Sequence, residues 1–218
     1  MLKKIVLGTI AAVVLAACGG EGSNSASSAP AQSGAASGSL IERINNKGTI
    51  TVGTEGTYAP FTYHDKDGKL TGYDVEVTRA VADKLGIKVE FKETQWDSMM
   101  AGLKAGRFDV VANQVGLTSP ERQATFDKSE PYSWSGAVLV ARKDSNIKSI
   151  DDIKGVKTAQ SLTSNYGEKA KAAGAELVPV DGLAQSLTLI EQKRADATLN
   201  DELAVLDYLK KNPNAGVQ

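Results

Sequence analysis

The 218 residues hold one cysteine, Cys18, and one histidine, His64. A lone cysteine can close no disulfide within the chain, so stability has to come from a conventional apolar core. A zinc site or a Ser-His-Asp triad would have to be assembled around His64 by itself. That residue stands beside Asp65-Lys66-Asp67-Gly68-Lys69, whose Asp-Gly step reads as a hairpin turn and puts the histidine at the surface. Neither sign of charge dominates: 25 Lys and Arg face 26 Asp and Glu. The even spread leaves no basic stripe for nucleic acid and no polybasic patch for a lipid surface. Past Cys18, no apolar run approaches the ~18 residues a membrane helix needs.

The one concentrated apolar run lies at the start. Lys3 and Lys4 precede an apolar stretch from Ile5 to Val14, and Leu15-Ala16-Ala17 leads into Cys18. A charged start, a short apolar core and small residues before a cut site describe an export signal over 1–17. Leu-Ala-Ala-Cys resembles the lipobox of bacterial lipoproteins, which implies that Cys18 is lipidated, becomes the new N-terminus and holds the protein to a membrane. From Gly19 to Ser39 the chain is almost entirely Gly, Ser, Ala, Asn, Gln and Pro. Such a stretch cannot bury enough apolar surface to fold, so 18–39 reads as a flexible tether. Without Lys3 and Lys4 the mature part has 23 basic against 26 acidic groups, a net charge of -3. What remains is long enough for one ordinary domain or two small lobes.

Beyond the tether, strands and helices alternate. Thr49 to Thr54 alternates as a strand, and Phe61 to His64 and Lys69 to Gly72 flank the turn as a hairpin. Asp74 suits an N-cap, with Val77, Ala80, Val81 and Leu85 at helical spacing and Gly86 as the stop. Lys88 to Lys92 reads as a strand, Asp97 to Ala105 as a helix, and Asp109 to Val115 as a strand buried on both faces. Ser119-Pro120-Glu121 opens another helix. Strands at Ala137 to Arg142, Lys157 to Gln160, Glu176 to Val180 and Ala197 to Asn200 then alternate with helices at Asn165 to Ala173, Leu183 to Lys193 and Glu202 to Lys211. Two α/β lobes with largely parallel sheets follow from this rhythm. Ligands of such sheets bind beyond the carboxyl ends of the strands. The loops in question are Glu55 to Phe61, Gln95 to Ser98, Asn113 to Arg122, Ser161 to Asn165 and Asn200-Asp201.

The run Gly72-Tyr73-Asp74-Val75-Glu76-Val77-Thr78-Arg79-Ala80-Val81-Ala82-Asp83-Lys84-Leu85 resembles the signature of the extracellular solute-binding protein family 3, the amino-acid receptors of ABC importers. The likeness continues through Thr51-Val52-Gly53-Thr54-Glu55, Tyr58-Ala59-Pro60-Phe61, Phe126-Asp127, Pro131-Tyr132 and Arg194-Ala195-Asp196-Ala197. It implies an α/β, two-lobed periplasmic-binding-protein fold of type II with the ligand cleft between the lobes, lobe 1 spanning 40–136 and lobe 2 spanning 137–218. It also implies that the chain crosses back to complete lobe 1, a return segment that the sequence up to Gln218 does not supply.

By the same resemblance a zwitterionic amino acid is trapped between the lobes. Arg122 matches the family arginine that holds the ligand carboxylate, for which a guanidinium offers paired donors. Asp201 matches the acidic partner of the ligand ammonium and is equally suited to capping the helix after it. Tyr58 and Trp96 match aromatic walls. Glu55, Asn113 and Gln114 would offer polar groups to the ligand side chain. Thr163, Ser164 and Asn165 stand where a helix begins, whose free amides suit a carboxylate. The family threonine five residues before the arginine is Leu117 here, so Thr118 becomes the candidate hydroxyl. Among branches of the family, the runs Gly53 to Tyr58, Asn113-Gln114-Val115 and Thr163 to Tyr166 look most like cystine-binding members.

The expectation is therefore a monomeric lipoprotein at the periplasmic or extracytoplasmic face of the cell envelope. It needs no cofactor or metal, binds cystine or another polar amino acid, and delivers it to a permease in the inner membrane. Two other readings of the same fold remain open at this stage: a dehydratase using Glu55 as acid or base, and an input domain of a sensor.

Overall fold

A capping box starts the first helix. In a computed structural model that describes residues 39–218, the Ser39 hydroxyl accepts from the Glu42 backbone N–H at 3.3 Å, and the Glu42 carboxylate takes the Ser39 N–H at 2.7 Å. These bonds start α1 (Leu40–Lys47), which ends at Gly48 with φ 66. Leu40, Ile41 and Ile44 fall on one face of α1, although only Ile44 is buried, so this short helix was legible in the sequence but was not among the expected elements. The Ser-x-x-Glu spacing was its available signal. The export segment, Cys18 and the tether up to residue 38 lie outside the described residues.

The elements then follow as β1 (Thr49–Thr54), β2 (Thr57–Tyr58), β3 (Thr62–His64), β4 (Leu70–Thr71), α2 (Tyr73–Leu85), β5 (Lys88–Glu93), α3 (Trp96–Lys104), β6 (Val110–Val111) and α4 (Pro120–Thr125). Strand β1 sits between β5 and β6 in a parallel sheet, paired in register from Thr49↔Lys88 to Thr54↔Glu93. Strands β2, β3 and β4 form a small antiparallel sheet. Helix α3 comes close to β1 because both contribute a glycine. A Cβ at Gly53 or at Gly102 would come within 2.7 Å of the Phe108 ring, which lies between them.

The second half runs β7 (Ala137–Ala141), a 3-10 turn (Ile150–Ile153), β8 (Lys157–Gln160), α5 (Asn165–Ala172), β9 (Glu176–Pro179), α6 (Leu183–Glu191), β10 (Ala197–Asp201) and α7 (Glu202–Lys211). Its sheet has the order β7-β10-β8-β9. Both faces are covered. Leu187, Ile190, Val205 and Val217 belong to one buried cluster, and Ile153, Ala170, Ala197 and Leu199 to another. At about 25 cal/mol per Å² of apolar surface, such two-sided burial is the main stabilising contribution here.

Two expectations need correction. Asp74 is no cap: Gly72 holds that position, and Asp74 lies buried inside α2, accepting from the Gln114 backbone N–H at 2.7 Å and the Gln114 amide at 2.6 Å. The apolar run from Asp109 to Val115 pairs only at Val110–Val111. Its later residues turn away to bond side chains distant in sequence. The two larger sheets are largely parallel, as expected, with β7 antiparallel to β10.

Candidate functional site

The carboxyl ends of β1, β6, β8 and β10 open onto one cleft. It is partly open to solvent and is lined by Glu55, Tyr58, Trp96, Asn113 and Gln114 from the first half, and from the second by Gln160, Ser161, Ser164, Asn165, Tyr166, Gly182, Leu183, Ser186 and Asn200. Seven of the eleven residues singled out from the sequence meet here. Gln160, Ser186 and the Gly182-Leu183 step were missed. Gln160 ends β8 and Gly182 caps α6, so the rule that ligands gather at strand ends covered them.

Asn113 and Gln114 of the first half are tied to their neighbours. Asn113 is buried, and its carbonyl oxygen accepts from the Glu55 backbone N–H at 2.8 Å while its amide donates to Glu55 Oε2 at 2.6 Å. Gln114 adopts φ 51, a left-handed conformation uncommon outside glycine, and the two bonds to Asp74 hold it there. Its side-chain oxygen accepts from the Ser133 hydroxyl at 2.8 Å. Phe61 packs in the apolar cluster of the second half, with its ring centroid 5.4 Å from that of Tyr58.

Four side chains of the first half make hydrogen bonds across the cleft. The Tyr58 hydroxyl donates to Asn200 Oδ1 at 2.7 Å, and the Gln95 amide to Asp181 at 3.2 Å. Asp97 accepts from Leu162 N, Thr163 N and the Thr163 hydroxyl at 3.3, 3.1 and 2.7 Å. Arg122, 8 % exposed, donates to Gly116 O at 3.0 Å and Thr163 O at 2.6 Å. Thr163 is thus held at its N–H, hydroxyl and carbonyl by two charged groups of the other half, and it does not line the cavity. Ser164 lines the cavity and also caps α5, accepting from Gly167 N at 3.0 Å.

The remaining expected residues sit differently. Thr118 is exposed and outside the cavity lining. Asp201 is 4 % exposed and caps α7, accepting from Leu203 N at 2.8 Å and Ala204 N at 3.2 Å. His64 contacts Gly56 O and Glu93 at 3.1 Å each, away from the cavity.

Residues 50–214 match the family model described as bacterial extracellular solute-binding proteins, family 3. The chain belongs to this family. Over 182 residues it is 62% identical to a probable amino-acid ABC transporter-binding protein of Haemophilus influenzae, covering 83% of this chain and 70% of that one. Over 222 residues it is 54% identical to the L-cystine-binding protein TcyA of Bacillus subtilis, covering 100% of this chain and 80% of the other. The crystal structure of the L-cystine solute receptor of Neisseria gonorrhoeae, in the unliganded open conformation, is 96% identical over 83% of this chain and 76% of that one, with a TM-score of 0.50. The family's fold is two-lobed, and its members here are receptors rather than enzymes. This receptor's parallel sheets, its cleft at their carboxyl ends and the contacts across it agree with that fold, of the type II α/β kind.

Glu55 brings a carboxyl to the lining of the receptor's cleft, and its titration is strongly shifted. Burial pushes its carboxyl up to about 7; the Asn113 bond pulls the other way, and the charge of Asp97 adds to the rise. The same burial raises Tyr58 and Tyr166, with the negative charge of Asp201 contributing to both. A carboxyl raised in the folded state holds its proton where the unfolded chain has lost it. Folding is therefore favoured at low pH, and that advantage is lost as pH rises from about 4.5, the unfolded value, to about 7. The loss is on the order of 3 kcal/mol. Between pH 5 and 8 the wild-type protein is expected to lose stability that Glu55→Gln retains. Parallel urea-denaturation curves for the two proteins at both pH values would remove Glu55 as the source.

Proposed function

We propose that this chain is the lipid-anchored receptor of an amino-acid ABC importer and that its ligand is L-cystine. The observation that carries the reading is a cleft lined from both halves, with the buried Arg122 against Trp96 of its lining and the buried Asp201 next in the chain to Asn200 of its lining. Arg122 comes from the half that holds β1, and Asp201 ends β10 of the second half. Residues 40–136 and 137–218 are taken as the two lobes. A zwitterion between them satisfies Arg122 with its carboxylate and Asp201 with its ammonium only when the lobes approach, so binding and closure become one event. Tyr58 and Trp96 supply flat contact area at small entropic cost. Glu55, Asn113, Gln114, Ser164 and Asn165 face the ligand's side chain from both lobes. Thr118 and Thr163 act at the rim, Thr163 by joining the lobes.

The 96% identity to an L-cystine solute receptor and the 54% identity to an L-cystine-binding protein support cystine over other amino acids. A dissociation constant near micromolar, about -8 kcal/mol, is within reach of two ion pairs and a ring sandwich. The lobes lie outside the cytoplasmic membrane, Cys18 carries the lipid, and the partner is a permease with its ATPase. A thermal-shift screen against the twenty amino acids and L-cystine, with fractionation of cells expressing wild-type and Cys18→Ala protein, tests the proposal. L-Cystine is expected to give the largest rise in Tm, and only the wild type is expected in the membrane fraction. A larger rise with another amino acid, or a membrane-bound Cys18→Ala protein, would overturn the corresponding half.

A further inference from the structure

One buried donor of the cleft's lining residues has no partner. Among the described residues, the indole Nε1–H of Trp96 is the buried side-chain nitrogen or oxygen without a hydrogen-bond partner. An indole nitrogen can only donate, and a buried donor left unpaired is destabilising unless something compensates it. Native proteins rarely keep such a group without a reason.

The surroundings indicate the reason. Trp96 is the first residue of α3 and lines the cavity. The guanidinium of Arg122 lies 5.5 Å from the centroid of its ring, so a residue of the lining stands against the cation. Several other polar side chains of the lining are already bonded: Asn113 to Glu55, Gln114 to Asp74 and Ser133, Asn200 to Tyr58, Gln160 to Thr198. What the indole N–H requires is an acceptor, and the group Arg122 attracts is a carboxylate, whose two oxygens are acceptors only.

We propose that the Trp96 indole N–H donates a hydrogen bond to a carboxylate oxygen of the bound amino acid, so that the carboxylate drawn to Arg122 is also fixed by the ring beside it. This rests on the amino-acid receptor reading of the cleft and assigns Trp96 a polar role as well as that of an aromatic wall. The pair makes the site selective. An amine or amide analogue lacking the carboxylate leaves both the guanidinium and the indole donor unpaired, whereas a change of side chain at the far end leaves them satisfied.

Trp96→Phe separates the two roles, since it keeps a ring for Arg122 and removes only the donor. The variant is expected to melt no lower than the wild type without ligand, because it loses an unpaired buried group. Its dissociation constant for L-cystine is expected to rise ~10-fold or more, as for loss of a hydrogen bond to a charged group. A second measurement needs no variant. The chain has two tryptophans, and Trp134 is 80% exposed, so the indole ¹H–¹⁵N spectrum has an internal reference. Saturation with L-cystine is expected to move the Trp96 N–H signal downfield and slow its exchange with water while the Trp134 signal stays. Wild-type affinity in Trp96→Phe, or an unmoved Trp96 signal in protein that binds L-cystine, overturns this assignment alone. Failure of the wild type to bind L-cystine overturns the receptor reading and this inference with it.

Discussion

Arg122→Ala is expected to raise the dissociation constant for L-cystine by ~100-fold or more, the largest effect of any single substitution in the cleft. Two losses combine. Charge-assisted bonds to a carboxylate contribute on the order of 1.5 to 3 kcal/mol each, and removing the cation also leaves the ligand charge desolvated and unpaired. The second loss is in closure. Arg122 donates across the cleft to Thr163 O at 2.6 Å and within its own loop to Gly116 O at 3.0 Å, so without it one bridge between the halves disappears. The dissociation rate should therefore rise more than the association rate falls. Arg122→Lys keeps the charge but not the planar fork and is expected to fall between the two. Calorimetry and stopped-flow binding check this. A folded Arg122→Ala protein with wild-type affinity would remove the arginine from the site.

Asp201 has the second large effect, and here a cap and a charge have to be separated. Both cap bonds end on Oδ1, so the cap does not need the second carboxylate oxygen. Asp201→Asn preserves an acceptor for Leu203 N and Ala204 N, since asparagine caps about as well as aspartate, but it removes the negative charge. The expected outcome is a ~100-fold loss of affinity for L-cystine at a nearly unchanged ligand-free Tm. Asp201→Ala should lose the same affinity and in addition ~1 kcal/mol of stability from the cap. Should Asp201→Asn bind as well as the wild type, the carboxylate's part is confined to starting α7.

Local chemistry accounts for most of what could be read in advance. Ser119 and Pro120 begin α4, Gly86 ends α2 with φ 69, and the β–α alternation of the second half matches its sheet. Each signal lies within a few residues of its effect. The misread elements are those whose partners are remote. Asp74 looks like a cap, yet its carboxylate is needed 40 residues later at Gln114. The run from Asp109 looks like a long strand, yet Asn113 leaves the sheet to meet Glu55, 58 residues away.

The candidate site divides in the same way. Residue types at strand ends suggested where a ligand would lie, because open α/β sheets present their loops there whatever the sequence between. How those residues are used depended on neighbours. Thr163 was expected at the ligand, but Asp97 and Arg122 hold it from the opposite half. Trp96 was expected as a wall, and only its packing shows that its N–H is buried without a partner.

The amino-acid order by itself determined the alternation of elements, their caps and the family, since these depend on side chains close in the chain. Only the tertiary structure decided which polar groups satisfy one another across the cleft and which buried donor is without a partner. Hydrogen bonds are short-ranged and directional, so their pairing is set by positions in space that distant segments reach together.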